Sequence, residues 1–210
     1  MKKSIFTGLF LAAFAGVSAQ AATIFTLNQD GCTGGCLTGS NDPIVSLVQN
    51  GTGASATVTV TETLGPNENY AGTGAGDALD FNIAGAISIT GITTGFTVNT
   101  VTPFTASAFG TFLDSVTCTA CMGSTGPTGP LSFTVSSATG VTIASFIGNP
   151  TYFFASDIAS TINGVTNTGN VASLGGSGQP TPDAPEPATM VLTGSALIGA
   201  AVLTRRRRKA

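Results

Sequence analysis

Polar and apolar residues alternate through most of this chain. In residues 55–64, SATVTVTETL, Val58 and Val60 fall on one side and Thr57, Thr59 and Thr61 on the other. A period of two marks a half-buried strand, because successive side chains on a pleated strand point to opposite faces. The rhythm recurs in residues 77–83 (DALDFNI), 86–92 (AISITGI), 95–101 (GFTVNTV), 131–137 (LSFTVSS), 141–147 (VTIASFI) and 151–158 (TYFFASDI). Between these runs lie turn-forming clusters: GPNE, GTGAGD, TTG, GPTGP, SATG, GNP and NTGN. Short strands separated by frequent turns predict an all-β fold, a single antiparallel β-sandwich or jelly-roll-like domain over residues 22–174. Phe81, Phe133, Phe146, Phe153 and Phe154 are its expected core. Residues 123–131, GSTGPTGPL, scan as three Gly-X-Y triplets, too few for a collagen helix, and read as a loop.

Two segments break the strand rhythm, one at each end. Residues 1–21 place Lys2 and Lys3 before an apolar run and end on Ala19-Gln20-Ala21. This is the plan of a secretory signal peptide, with cleavage expected after Ala21. Residues 188–204 carry no charge. As a helix they span about 25 Å at ~1.5 Å per residue, a little under a hydrocarbon core of about 30 Å. The reading is a transmembrane helix. Before it, residues 175–187 form a Gly/Ser/Pro-rich linker. After it come Arg205, Arg206, Arg207, Arg208 and Lys209, a basic tail over 205–210 that resists translocation and stays cytoplasmic.

Charge sharpens this picture. All 7 Lys and Arg lie in the two terminal segments, and the chain has no His. All 10 Asp and Glu lie between them, so a net charge of -3 conceals an acidic body with no cation. Such a body repels phosphate backbones, and nucleic acid is excluded as a partner.

The tripeptide Pro185-Glu186-Pro187, followed by the apolar stretch and the arginine cluster, resembles the PEP-CTERM sorting signal of Gram-negative bacteria. The resemblance covers residues 185–210. It implies processing by an exosortase, a membrane-embedded cysteine transpeptidase-like enzyme that cuts near the motif and releases or re-anchors its substrate. It also implies an exported protein, first anchored in the inner membrane, then at the cell surface or in the extracellular matrix, in species that make exopolysaccharide. Two prolines hold the motif extended and remove backbone donors, which suits a strip read beside a membrane. Between Ala22 and the linker the chain resembles uncharacterised exported proteins of that group, without an activity attached.

Four cysteines stand in two pairs, Cys32 and Cys36 in GCTGGC, Cys118 and Cys121 in TCTAC. Export favours disulfides. Local pairs are preferred because small residues let each loop close; pairs between the two clusters remain the alternative. A zinc site of four thiolates is the rival. A redox-active Cys118-x2-Cys121 would need a following helix, which MGSTGPTGP does not support.

Without His, Ser–His–Asp and Cys–His catalysis is excluded, and without a body cation phosphoryl transfer has no anchor. What remains is carboxylate-pair chemistry, as in glycoside hydrolysis, with Glu62, Glu68, Asp77, Asp80 and Asp157 as candidates. Asp77 and Asp80, in residues 72–80, also offer oxygen ligands for Ca²⁺; the plainer reading is a turn with solvated carboxylates. The expectation is therefore a non-catalytic exported surface or matrix protein with no cofactor beyond that calcium. The alternative is a carbohydrate-binding module, which would expose Tyr70 or Tyr152 on a concave face. A hydrolase is the third reading.

Overall fold

The computed structural model describes residues 22–73, 77–101 and 103–174. The predicted signal peptide, the linker with Pro185-Glu186-Pro187, the apolar segment 188–204 and the basic tail lie outside the described residues. Among the described residues, no helix is long and apolar enough to cross a membrane.

Fourteen strands are described: β1 Ala22–Thr26, β2 Gln29–Asp30, β3 Ile44–Asn50, β4 Thr57–Thr63, β5 Glu68–Tyr70, β6 Leu79–Phe81, β7 Ser88–Thr90, β8 Phe96–Val98, β9 Phe104–Ala106, β10 Gly110–Phe112, β11 Asp114–Cys118, β12 Leu131–Ser136, β13 Tyr152–Ile162 and β14 Val165–Leu174. All pairings between them are antiparallel. One sheet has the order β1-β3-β4-β12-β7; a second has β2-β14-β13-β6-β11-β8, with β5 also paired to β13.

The two sheets face each other across one core in a sandwich-like arrangement. Val45 and Leu47, Val58 and Val60, and Leu131, Phe133 and Val135 point inward from the first sheet. Leu79, Phe81, Val116, Phe154, Ile158 and Val171 meet them from the second. The Phe81 and Phe133 rings stack across the gap with centroids 5.6 Å apart. All five phenylalanines expected in the core are buried.

A third element has no counterpart in the predicted sandwich. β9 and β10 form a separate hairpin. Its Ala106, Phe109 and Phe112 pack on Ala155 and Ala172, beside Tyr152. Ala155 and Ala172 are partners across β13 and β14, on the opposite face from Phe154 and Val171. The hairpin therefore covers part of the outer face of the second sheet, where small alanines leave room for two phenyl rings.

Two readings of the sequence are corrected. Residues 141–147 form no strand; they carry a single 3-10 turn, Ile143–Ser145, closed by Thr142 and Ser145 bonding each other's backbone amides. Local bonding by Ser and Thr competes with strand pairing and wins here. NTGN, read as a turn, lies inside β14. The turn falls instead at Asn163-Gly164, both at positive φ (52° and 79°), joining β13 to β14. Asn-Gly is the pair that a two-residue hairpin prefers.

Candidate functional site

A polar row crosses the outer face of the second sheet. Cross-strand register sets Asn170 of β14 opposite Asp157 of β13, Ala155 opposite Asp80 of β6, and Asp80 opposite Ser115 of β11. Partners in an antiparallel pair share a face, as do residues two apart on one strand. Asp80, Ser115, Asp157 and Asn170 thus lie side by side, and none is more than 1 % exposed. Burying this many polar groups on a sheet surface requires partners.

Most of the row has them. The Asp77 carboxylate, just before β6, accepts from Asn99 Nδ2 at 2.8 Å and from the Ser115 hydroxyl. Asp157 accepts from the Thr73 amide at 3.2 Å and from its hydroxyl at 3.3 Å. The Asp157 amide donates to the Asp77 carbonyl at 3.0 Å. Asp80 is less well served. One of its oxygens accepts only a long bond, 3.4 Å, from the Asp77 amide, and the other has no partner. Burial pushes the Asp80 carboxyl up to about 8, and the Asp77 and Asp157 charges add to the shift. Burial also raises Asp157, against the pull of its Thr73 bonds. The Asn170 amide nitrogen has no partner either.

The predicted solvated turn is therefore corrected at Asp80, which is fully buried. Asp77 and Asp80 are brought together as expected for a calcium loop, but protein donors already occupy Asp77. Among the described residues, the trio of Asp, Glu, His or Cys whose ligand atoms lie within 4.8 Å of one another is Asp30, Cys32 and Cys36. Its sulfurs are closed in a disulfide and its carboxylate is engaged, accepting from the Cys32, Cys36 and Leu37 amides.

Of the hydrolase candidates, Asp77, Asp80 and Asp157 share the polar row, whereas Glu62 and Glu68 lie apart from it. Glu62 lies on the inner face with Val58 and Val60, wholly buried. The Ser156 and Tyr70 hydroxyls stand near enough to favour its charge, yet no atom meets either oxygen in hydrogen-bond geometry. Burial pushes it up to about 8. Glu68 lines a small cavity of about 60 Å³, where it accepts from the Gly65 amide. Asp157 lines another, of about 210 Å³.

Of the two tyrosines, Tyr70 is fully buried, its hydroxyl accepting from the Leu131 amide at 3.2 Å. The expectation that it be exposed is overturned, because its ring packs edge-on against Phe96 in the core. Tyr152 is half-buried. With Phe109, which it meets edge-to-face at 5.0 Å, it lines an open depression of about 440 Å³.

The cysteines form the two local disulfides, Cys32–Cys36 and Cys118–Cys121. This overturns the inter-cluster pairing and the four-thiolate zinc site. Sequence reasoning missed Asn170 and the β9–β10 hairpin. The hairpin's signal was FTASAFGTF, with apolar residues at 104, 106, 109 and 112 around a turn. Asn170 carries none, since NTGN has the composition of a turn.

Comparison of the chain with protein-family models, with curated proteins and with solved structures finds no match.

Proposed function

We propose that this chain is a non-catalytic exported protein, sorted through its PEP-CTERM-like tail as an exosortase substrate and displayed at the cell surface or in an exopolysaccharide matrix. The observation that carries the reading is the pairing of chemistry with charge. All four cysteines close as local disulfides, within a body whose charges are all negative and are flanked by the chain's only cations. Disulfides persist in oxidising compartments, and a flanking basic cluster holds its end of the chain in the cytoplasm. The finer architecture belongs to the same reading: a jelly-roll-like domain, a signal peptide cleaved after Ala21 and a transmembrane helix over 188–204. The engagement of the carboxylates supports a non-catalytic role: Asp77, Asp80 and Asp157 cluster, but protein donors hold Asp77 and Asp157 and burial closes off Asp80. Glu62 faces the core, Asp80 is sealed on the opposite face, and Glu68 and Asp157 line separate cavities.

The test is a reporter inserted in an exposed turn of the body, with alkaline phosphatase active only outside the cytoplasm. Activity is expected, together with mature chains starting at Ala22 and ending near Pro185-Glu186-Pro187 by intact mass. A reporter active only in its cytosolic form would overturn the proposal.

A second reading, a carbohydrate-binding module, is favoured by one observation. Tyr152 and Phe109 wall an open depression that Thr111, Asn149 and Thr151 also line. Aromatic faces next to hydroxyl-bearing side chains suit the mixed apolar and polar surface of a sugar ring.

A further inference from the structure

We infer that the notch between β14, the Cys32–Cys36 loop and the β9–β10 turn is a binding subsite for a neutral polyhydroxylated unit, the sugar residue of an uncharged polysaccharide. The inference rests on the carbohydrate-binding reading and names the atoms that would read the ligand. The cavity, about 210 Å³, is lined by Thr33, Thr73, Ser107, Asp157, Thr168 and Asn170, with Gly31 and Gly169 as bare backbone. Four hydroxyls, one carboxylate and one amide converge there.

Two groups in the notch have capacity to spare. Asp157 is only 1 % exposed, and Thr73 is the donor to its carboxylate. Asn170, directly opposite, is equally buried, and its amide nitrogen meets no protein acceptor. An unsatisfied buried donor costs about 1–3 kcal/mol, so a ligand acceptor in the notch would recover stability already lost. Asp157 accepts and Asn170 donates. Neighbouring hydroxyls on a sugar are each donor and acceptor and match that pair.

The lining also excludes other ligands. An anion would meet Asp157 with no cation in the body to balance it. A metal ion would find one carboxylate and leave the Asn170 donor unmet. An apolar ligand would strand every hydroxyl.

The walls are held in place before any ligand arrives. Thr33 sits within the Cys32–Cys36 loop. The Asp30 carboxylate gathers three amides of that loop and its exit, and Asn167 Nδ2 donates to the Gly35 carbonyl at 2.7 Å. The loop docks where Gly31 donates to the Asn170 carbonyl at 3.0 Å. A Cβ on Gly169 would lie 2.8 Å from Cys32 Cα, so only glycine permits that approach. Ser107 leads directly into Ala108, which holds a φ of 71° and lines the Tyr152 depression. The Ser107–Ala108 turn thus joins the notch to the depression lined by Tyr152.

The test uses the full chain in mild detergent on an array of neutral hexose oligosaccharides and uronate oligosaccharides, with calcium and with chelator. Neutral glycans are expected to bind equally in both. Asn170→Ala and, at the exposed rim, Thr33→Val should each weaken binding about tenfold, the effect of one lost hydrogen bond. The exposed Thr33→Val should leave the melting temperature unchanged, whereas Asn170→Ala also empties buried volume, so its loss of binding is read on folded protein and beside the Thr33→Val result. Retention unchanged in both variants would overturn the subsite and leave the carbohydrate-binding reading standing. Binding of uronates alone, dependent on calcium, would overturn the neutral ligand. No retention of any glycan by the parent chain would remove the carbohydrate-binding reading itself.

Discussion

Glu62 carries a carboxyl group into a core that holds no cation to meet it. The alternation that places Val58 and Val60 inward also places Glu62 inward, two residues further on. Burial favours its neutral form and lifts it from 4.5 to about 8, with the Glu68 and Asp80 charges adding to the effect. Asp80 behaves alike on the other face of the opposing sheet. Near neutrality both are mostly protonated, which removes two of the ten formal negative charges. The consequence for stability has a definite sign. Below the unfolded value of 4.5 both states of Glu62 are protonated. Above it the unfolded chain loses the proton and the folded chain keeps it, so stability declines as pH rises, by about 1.4 kcal/mol per unit. The decline ends near pH 8, where the folded group also ionises. Thermal melts should therefore fall progressively between pH 5 and pH 8. Glu62→Gln should make the decline shallower, leaving the share due to Asp80, and melt higher than the parent at pH 8.5. A variant with the parent's slope would mean that Glu62 finds a donor in solution.

At the scale of elements, the disulfides tie short stretches rather than distant ones. Cys32–Cys36 and Cys118–Cys121 span sequence separations of 4 and 3. Loops this small constrain the unfolded chain least, by about 2 kcal/mol each. Reduction should lower the unfolding free energy in urea by that order without abolishing folding, and unreduced peptide maps should show the two local links. A peptide joining Cys32 or Cys36 to Cys118 or Cys121 would contradict the structure. Legibility of the elements follows from what covers them. β4 and β12 have one face in the core and one toward water, so their sequences alternate and were read at once. β13 is buried along eight consecutive positions and β14 along four, because the β9–β10 hairpin covers Ala155 and Ala172 and Thr73 and Asp77 close over Asp157. Alternation fades there, and polar residues such as Asn170 resemble a turn. The candidate site was hidden for the same reason. Its carboxylates are nameable one by one, but the strand register that sets them side by side, and the Thr73 and Asn99 donors that hold them, are long-range facts.

At the scale of the whole molecule, the dominant electrostatic feature is a body whose charges are all of one sign, with the cations confined to the chain's two ends. Every Lys and Arg lies outside the described residues, so no ion pair forms among the described residues. The remaining carboxylates repel one another in the folded domain more than in the expanded chain. Salt should relieve that repulsion, since the screening length falls from about 30 Å at 0.01 M to about 3 Å at 1 M. Sodium chloride is thus expected to raise the melting temperature at pH 7.5, by roughly 2–4 °C for each kcal/mol of repulsion removed. The identity of the cation separates diffuse screening from a site. Asp77 accepts from Asn99 and Ser115, and Asp157 from Thr73, bonds that tie each carboxylate to the protein. Calcium would have to displace these donors before several carboxylates could hold it. At equal ionic strength, calcium and magnesium chloride should therefore stabilise the domain to the same extent. A rise specific to calcium would mean that Asp77 and Asp80 exchange their protein donors for the ion, and that the polar row is a metal loop closed by internal hydrogen bonds.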